Sequence, residues 1–98
     1  MKVRLTKAAS ADIRTIYDYL ASESPLARMR FEERLEEIMV DIRDFPATGH
    51  QSNKSGVRIK NTHPYPYLVF YRVKPSEVLV VRVRHGARNP KSMPARPR

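Results

Sequence analysis

The alternation of apolar and polar residues at the start of the chain predicts a short strand followed by a helix. Residues 2–6 alternate with a period of two, which is typical of a strand with one buried face. Apolar residues then recur at helical spacing: Ile13, Ile16, Tyr17 and Leu20. Thr6 and Ser10 both carry hydroxyls that can cap the first turn of a helix. We therefore expect a strand over 2–6 and a helix over 8–22.

A second helix is predicted over residues 26–45. Pro25 cannot continue an interior helical turn but suits the first turn of a new helix, so the chain reverses there. One apolar stripe then runs along Phe31, Leu35, Ile38, Met39, Ile42 and Phe45, with charged residues on the other side. We expect an antiparallel helical hairpin whose two stripes pack together as core and do not form a groove for a partner.

The rest of the chain predicts strands. Residues 45–56 are rich in Pro, Gly, Ser and Asn, which is typical of a surface loop. Three extended runs rich in Val, Ile, Tyr and Phe follow, over 57–61, 67–74 and 78–84. The prolines of the segment 63–66 exclude it from a central strand.

The order of these elements predicts the fold class and the extent of the domain. The expected fold is α+β with the order β-α-α-β-β-β, a helical hairpin packed on a small antiparallel sheet. We expect one domain over 1–85 and a basic, proline-rich tail over 86–98.

Alternation along the last two strands predicts which side chains face the hairpin. In the last strand Leu79, Val81 and Val83 should face it, and Val78, Val80, Arg82 and Arg84 should face away. In the preceding strand Tyr67, Val69, Tyr71 and Val73 form a core-facing row, whereas Tyr65 is expected to be exposed.

Charge is distributed unevenly and indicates an anionic partner. The net charge is +9; residues 1–49 hold eight Lys or Arg and nine Asp or Glu, whereas residues 50–98 hold eleven and one. Such a field attracts nucleic acid or an acidic protein. We expect one target-binding cationic face, formed by Arg58, Lys60, Arg72, Arg82, Arg84 and Arg88. The alternative is a solvated sheet face with no partner.

Composition limits the other classes of function. The chain has no cysteine, so it contains neither disulfides nor a thiolate zinc site, and His50 and His63 lack further ligands at a metal-binding spacing. No metal or cofactor is expected. The first residues do not form a signal peptide and no apolar run could span a membrane, so a cytoplasmic protein is expected.

Two C-terminal segments resemble the ParE/RelE superfamily of type II toxin–antitoxin toxins. They are Pro-Tyr-Pro-Tyr-Leu-Val-Phe-Tyr-Arg-Val (64–73) and Val-Arg-Val-Arg-His-Gly-Ala-Arg (81–88). Ile-Tyr-Asp-Tyr-Leu (16–20) and Phe-Pro-Ala-Thr-Gly (45–49) are closer to the ParE branch. The resemblance implies a toxin in a hetero-oligomer with a cognate antitoxin, whose acidic segment wraps the hairpin and the sheet.

The resemblance implies two possible targets. RelE-like members cleave messenger RNA on the ribosome with converging cations, for which His85 and Arg88 are the candidate catalytic residues here. Leu68, however, occupies the position where an arginine is expected in that branch, and no aromatic proton donor follows in 91–98. ParE-like members inhibit DNA gyrase without chemistry of their own, and we favour that function. A ribonuclease remains the alternative, and a binding module without toxicity is a third.

Overall fold

The computed structural model describes residues 1–86 and confirms the α+β class. Two helices and five strands follow one another as β1 (Lys2–Leu5), α1 (Lys7–Glu23), α2 (Pro25–Asp44), β2 (His50–Gln51), β3 (Arg58–Thr62), β4 (Tyr65–Val73) and β5 (Glu77–His85), with a 3-10 turn at Pro46–Thr48. Neither helix is long and apolar enough to cross a membrane. Beyond Gly86, the predicted tail lies outside the described residues.

The helical hairpin forms where the sequence predicted it. Thr6 caps α1, because its hydroxyl accepts the amide of Ala9 at 3.0 Å. Ser24 ends α1 and caps α2, and Pro25 occupies the first turn of α2. The apolar stripes of both helices pack on one face of the sheet to form the main core, whose fully buried members include Ala9, Phe31, Ile38, Ile42, Val69, Tyr71, Val78 and Val80.

The sheet is mixed, and the expectation of an antiparallel sheet is wrong for its first strand. The strand order is β1-β5-β4-β3-β2, and β1 runs parallel to β5 with Val3 beside Val78 and Leu5 beside Val80. The other strands form the predicted antiparallel meander. Two parallel strands need a long connection between them, and here residues 6–76 form that connection.

Two local expectations also fail. The predicted loop 45–56 contains the 3-10 turn and β2, which pairs with Arg58 and Ile59 of β3. Pro66 lies within the central strand β4, at the end where the β3–β4 register shifts near Thr62. The irregular pairing there removes the need for an amide donor at Pro66, and its carbonyl accepts the amide of Gly86 at 2.7 Å.

A β-bulge reverses part of the predicted alternation in β5. Tyr71 pairs with Val80, but Phe70 pairs with Arg82, so Val81 is the extra residue. Val78 and Val80, which were expected to face away from the hairpin, are therefore buried in the main core together with Val83. Val81, expected in the core, packs instead against a cluster on the other face. The prediction was wrong because strict alternation fails at a bulge.

The face of the sheet opposite the hairpin carries a second, smaller apolar cluster. Val57, Ile59 and Phe70 are buried there, and Leu68 and Val81 pack against them partly exposed. We call this the outer cluster and its side of the sheet the outer face.

Candidate functional site

Arg84 is a cation on the outer face and lies beside the end of the outer cluster. It pairs across β4 and β5 with Leu68, so both side chains project from the same face. Its Nε is buried and has no hydrogen-bond partner within residues 1–86. A buried, unsatisfied guanidinium nitrogen favours an anionic acceptor from outside the described part of the chain.

Leu68 lies where the resemblance to ribonucleases would require an arginine. Its side chain packs against the outer cluster and lines an open depression with Tyr67 and Gly86. Leu68 is aliphatic and cannot bind phosphate. No second cation therefore faces Arg84 across this strand pair. At this point the outer face therefore carries one apolar side chain, Leu68, next to one cationic side chain, Arg84.

Arg72 belongs to the same face but is partly engaged by the chain itself. It pairs with Leu79 and donates from Nη1 to the carbonyl of Ser55 at 3.3 Å. A Cβ at Gly56 would lie 2.9 Å from that nitrogen, and the φ of 78° at this residue favours glycine. The turn before β3 thus packs tightly against Arg72.

Arg82 is tied to the first helix. Its Nε and Nη2 donate to the carboxylate of Asp12 at 2.8 and 2.9 Å, and the amide of Val83 donates to the same carboxylate at 2.9 Å. This bidentate contact raises the pKa of Arg82, chiefly through the hydrogen bond to Asp12. Because β1 covers β5 only as far as Val80, Asp12 takes over as the hydrogen-bond acceptor along the edge of β5 beyond it.

Arg58 and Lys60 project from the hairpin side of the sheet. They pair with Tyr71 and Val69, whose side chains belong to the main core. Arg58 donates to the carbonyl of Gly49, and Lys60 donates to Thr48 Oγ1 at 3.0 Å and lies 4.0 Å from Asp41. Both cations hold the turn that follows α2.

The structure therefore does not assemble the six predicted cations on one face. Arg72 and Arg84 share the outer face, whereas Arg58 and Lys60 lie on the hairpin side and Arg82 is neutralised by Asp12. Alternation could not reveal this division, because β3 lies next to β4 in a register that the sequence does not specify. Arg88 lies outside the described residues.

His85 is separated from Arg84 by the sheet. It pairs with Tyr67, and the two rings meet edge to face with centroids 5.4 Å apart on the hairpin side. Tyr65 is half-buried there too, with its ring 5.3 Å from that of Phe31, so the expectation of an exposed Tyr65 is wrong. Aromatic packing at this end of the core draws in both residues.

The predicted tyrosine row is confirmed for most of its length. Tyr67, Val69 and Tyr71 are buried in the main core, whereas Val73 at the end of β4 is exposed. These tyrosines are therefore packed and are not available to stack on bases.

Sequence reasoning missed Asp12 as a site residue. In the sequence it is simply a polar position next to the apolar residues of α1. Its role depends on a contact 70 residues away along the chain, and no local pattern reports such a contact. The nearest sequence signal is the run of four consecutive apolar residues before Arg82, which interrupts strict alternation but does not point to Asp12.

The chemistry available to the outer face is binding of an anion. Arg84 offers an unsatisfied donor, and the neighbouring apolar cluster lowers the local polarity, which strengthens its attraction for a negative group. Within residues 1–86, no carboxylate, histidine or tyrosine is hydrogen-bonded to Arg84, so none is placed there to transfer a proton. Within residues 1–86, no group of three or more His, Asp or Glu residues is placed to hold a metal ion.

Comparison with known proteins agrees with this fold. A toxin from Caulobacter vibrioides, named Toxin RelE2, is 35% identical over 83 residues, which cover 85% of this chain and 92% of that protein. A structure of the chromosomal ParDE system of P. aeruginosa superimposes with a TM-score of 0.74 at 25% identity, covering 87% of this chain and 95% of that one. The YoeB/ParE toxin from Agrobacterium tumefaciens gives 0.62 at 17% identity, over 87% and 98% of the two chains, and shares the fold.

A family pattern gives the assignment directly. The family described as the ParE toxin of the type II toxin–antitoxin system parDE matches residues 3–90, which is most of the chain. The match spans both helices and all the strands except the first residue of β1. The chain therefore belongs to the ParE toxin family of type II toxin–antitoxin systems.

Proposed function

We propose that this protein is a toxin that inhibits DNA gyrase and is neutralised by an antitoxin encoded beside it. Family membership supports the toxin and antitoxin parts of this proposal. One of the similar folds, the DinJ–YafQ pair of E. coli, was solved as a toxin–antitoxin complex. The choice of gyrase depends on the residues of the outer face.

The observation that carries the choice is the pairing of Leu68 with Arg84. Phosphodiester cleavage requires several cations around the scissile phosphate and a group that transfers a proton. Within residues 1–86 the outer face has Leu68 opposite Arg84, and His85 lies on the hairpin side against Tyr67. This arrangement supports binding to a target and does not favour cleavage of RNA.

The proposed target surface is the outer face with Arg84 as its centre. Arg72 shares that face, and Arg88 follows Arg84 by four residues in the sequence, so the proposal includes both. Arg58, Lys60 and Arg82 make hydrogen bonds within the protein, and their proposed contribution is limited to the long-range field.

A supercoiling assay with purified gyrase tests the proposal. We expect the wild-type protein to inhibit supercoiling and to accumulate cleaved DNA–gyrase complexes. Arg84→Glu should weaken inhibition by about tenfold or more, because the substitution reverses a charge at the contact. Arg30→Glu is the matched control. Arg30 is exposed on α2, which packs on the opposite face of the sheet, so this substitution should leave inhibition unchanged.

Two results would overturn this function. Gyrase that stays fully active, with no cleaved complexes at any toxin concentration, excludes inhibition of gyrase. Cleavage of messenger RNA in a translating extract, abolished by Arg88→Ala, would establish the ribonuclease alternative in its place.

A further inference from the structure

The start of α1 runs along the edge of β5. The amide of Thr6 donates to the carbonyl of Val80 at 3.0 Å, and its hydroxyl donates to the carbonyl of Val81 at 3.0 Å. Further along the helix, the carboxylate of Asp12 accepts the amide of Val83 at 2.9 Å. These three contacts hold α1 against β5, so the fold itself fixes the position of the Asp12 carboxylate.

Arg82 belongs to the outer side of β5, but its guanidinium is bound at the edge of the strand. In the register of β4 and β5, Arg82 pairs with Phe70 and Arg84 with Leu68, and both partners belong to the outer cluster. The two arginines therefore occupy neighbouring outward positions, about 7 Å apart along the strand. Two nitrogens of Arg82 nevertheless donate to the carboxylate of Asp12. Helix α1 thus withdraws one of two neighbouring cations from the outer face.

Arg84 is the cation that the carboxylates of the described structure leave unpaired. β1 and β5 carry three arginines at outward positions. Arg4 is bound by Glu77 at 2.9 Å, and Arg82 is bound by Asp12 at 2.8 Å. Within residues 1–86 no carboxylate lies at ion-pair distance from Arg84, and its buried Nε has no hydrogen-bond partner there. This end of the outer face therefore offers one cation and not a pair.

A single cation beside apolar side chains suits a carboxylate better than a nucleic-acid backbone. Nucleic acid carries a row of phosphates, and its single strands are bound by several cations together with aromatic rings that stack on the bases. Here Tyr67 and Tyr71 are buried on the hairpin side of the sheet, whereas Leu68 and Val81 lie partly exposed on the outer face. A carboxylate can accept charge-assisted hydrogen bonds from Arg84 while apolar residues beside it contact this surface.

We infer that Asp12 is a specificity-determining residue. By binding Arg82 it leaves Arg84 as the single available cation at this end of the outer face, which then selects an Asp or Glu side chain with apolar neighbours on a protein and rejects the phosphate backbone of nucleic acid. The inference rests on the proposed function and adds that the contact is made to the protein of gyrase and not to its DNA. Asp12 does not touch the target and acts through Arg82.

Asp12→Asn tests whether the ion pair excludes nucleic acid. The amide still offers an oxygen to the Val83 N–H but carries no charge to hold Arg82, so a second cation is released beside Arg84. The probe is a short fluorescent single-stranded DNA. We expect its Kd to fall by about tenfold at low salt, and the slope of log Kd against log salt concentration to steepen by about 0.7, the value for one added phosphate contact on a single strand.

Two further variants separate the release of Arg82 from a change in net charge. Asp18→Asn is the matched control, because Asp18 is exposed on the same helix and forms no ion pair within residues 1–86. It adds the same charge without releasing an arginine, so the Kd for DNA should stay within about twofold of the wild type. The double variant Asp12→Asn/Arg82→Gln has the wild-type net charge and should return to the wild-type Kd.

Leu68→Arg supplies a second cation without touching Asp12. The new guanidinium would lie directly across the strand pair from Arg84, so the affinity for DNA should again rise by about tenfold. Circular dichroism establishes that each variant is folded before its Kd is compared. Leu68→Arg decides the question if Asp12→Asn proves to be unfolded.

Binding to gyrase in the absence of DNA tests the carboxylate itself. The wild-type protein should bind DNA-free gyrase, and Arg84→Glu should raise that Kd by about tenfold or more, because a like charge then faces the carboxylate. Binding that requires DNA would overturn the carboxylate as the ligand. Tighter binding of the wild-type protein to the DNA probe than to DNA-free gyrase would make nucleic acid the ligand and would also overturn it.

The outcomes separate this inference from the proposed function. An unchanged affinity for DNA in folded Asp12→Asn or in Leu68→Arg, or a gain that persists when Arg82 is removed, would overturn the role of Asp12. A gain that depends on Arg82, in a protein whose wild type leaves gyrase active, would support the role of Asp12 and overturn only the proposed target.

Discussion

Tyr71 is among the largest fully buried side chains of the protein, and its hydroxyl holds the turn after α2. It donates to the carbonyl of Pro46 at 2.7 Å and accepts the amide of Gly49 at 2.9 Å. Burial raises the pKa of Tyr71 above its ordinary value, and the phenol, which is protonated at neutral pH in any case, is able to donate there. The tyrosine predicted as a core residue from alternation is thus also the hydrogen-bond centre of a loop.

Gly49 is the residue that makes this contact possible. A Cβ there would lie 2.5 Å from the Tyr71 hydroxyl and 2.8 Å from the carbonyl oxygen of Ile59. The second atom belongs to the backbone of β3 and cannot move without disturbing the sheet. Any side chain at position 49 therefore displaces the turn or the tyrosine.

Gly49→Ala is expected to reduce the free energy of unfolding by about 2 kcal/mol, as for other overpacked buried positions. Gly86→Ala is the matched control, because the nearest atom to its Cβ would be 3.5 Å away, an ordinary contact. Urea denaturation of both variants measures the difference. Equal stabilities would show that the turn moves freely and that Tyr71 does not fix it.

At the scale of elements, the sequence predicted the helices best. Periodicity located both of them, and Pro25 predicted their junction, because these signals depend on neighbouring residues only. The meander strands were predicted for the same reason. β2, with two residues, is too short to have a period, and its existence depends on β3 as a partner.

Long-range pairing was beyond the sequence. The parallel register of β1 on β5 and the bulge at Val81 each depend on residues far apart in the chain. One extra residue in β5 moved Val78 and Val80 to the hairpin side, and the register of β3 placed Arg58 and Lys60 on that side as well. The candidate cationic surface was therefore predicted by residue type but not by face.

An ion pair between Arg4 and Glu77 joins the parallel strands β1 and β5. Arg4 Nη2 donates to Glu77 Oε2 at 2.9 Å, and Arg4 Nε to Oε1 at 3.1 Å, so β1 is joined to the start of β5. The hydrogen bond from Arg4 is the main cause that lowers the pKa of Glu77 below its ordinary value of 4.5. A carboxyl with a lowered pKa stabilises the folded state only while it is ionised.

Glu77→Gln is expected to lower the Tm at neutral pH, and its gap from the wild type should close in acid. Because the folded pKa of Glu77 is lowered, its contribution is complete above 4.5 and is lost as the pH falls through the folded value. Thermal unfolding across this range measures the gap. Glu33→Gln is the control, since Glu33 is exposed and makes no ion pair within residues 1–86. A difference in Tm between Glu77→Gln and the wild type that stays constant with pH would contradict a stabilising role of the Arg4–Glu77 ion pair.

At the scale of the whole molecule, the sheet separates two apolar layers of unequal size. The main core lies under the hairpin, and the outer cluster lies on the face that carries Arg72 and Arg84. Phe70 is fully buried there although α1 and α2 pack on the opposite face of the sheet. Arg72 and Arg84 thus lie beside a packed apolar base, and Arg84 is the centre of the proposed target surface.

Phe70→Ala tests whether the outer cluster contributes to the stability of the whole fold. Truncation of a fully buried phenylalanine is expected to cost about 3–5 kcal/mol, because contacts are lost and a cavity is left. Phe45→Ala is the matched control: Phe45 is 68% exposed at the end of α2 and should change the free energy of unfolding by less than about 1 kcal/mol. Urea denaturation followed by far-UV circular dichroism gives both values.

If the two variants are equally stable, the outer cluster does not support the sheet, and Arg84 loses the rigid base that its proposed contact requires. If Phe70→Ala remains folded but destabilised, its gyrase inhibition should fall together with its stability, whereas Arg84→Glu should reduce inhibition at unchanged stability.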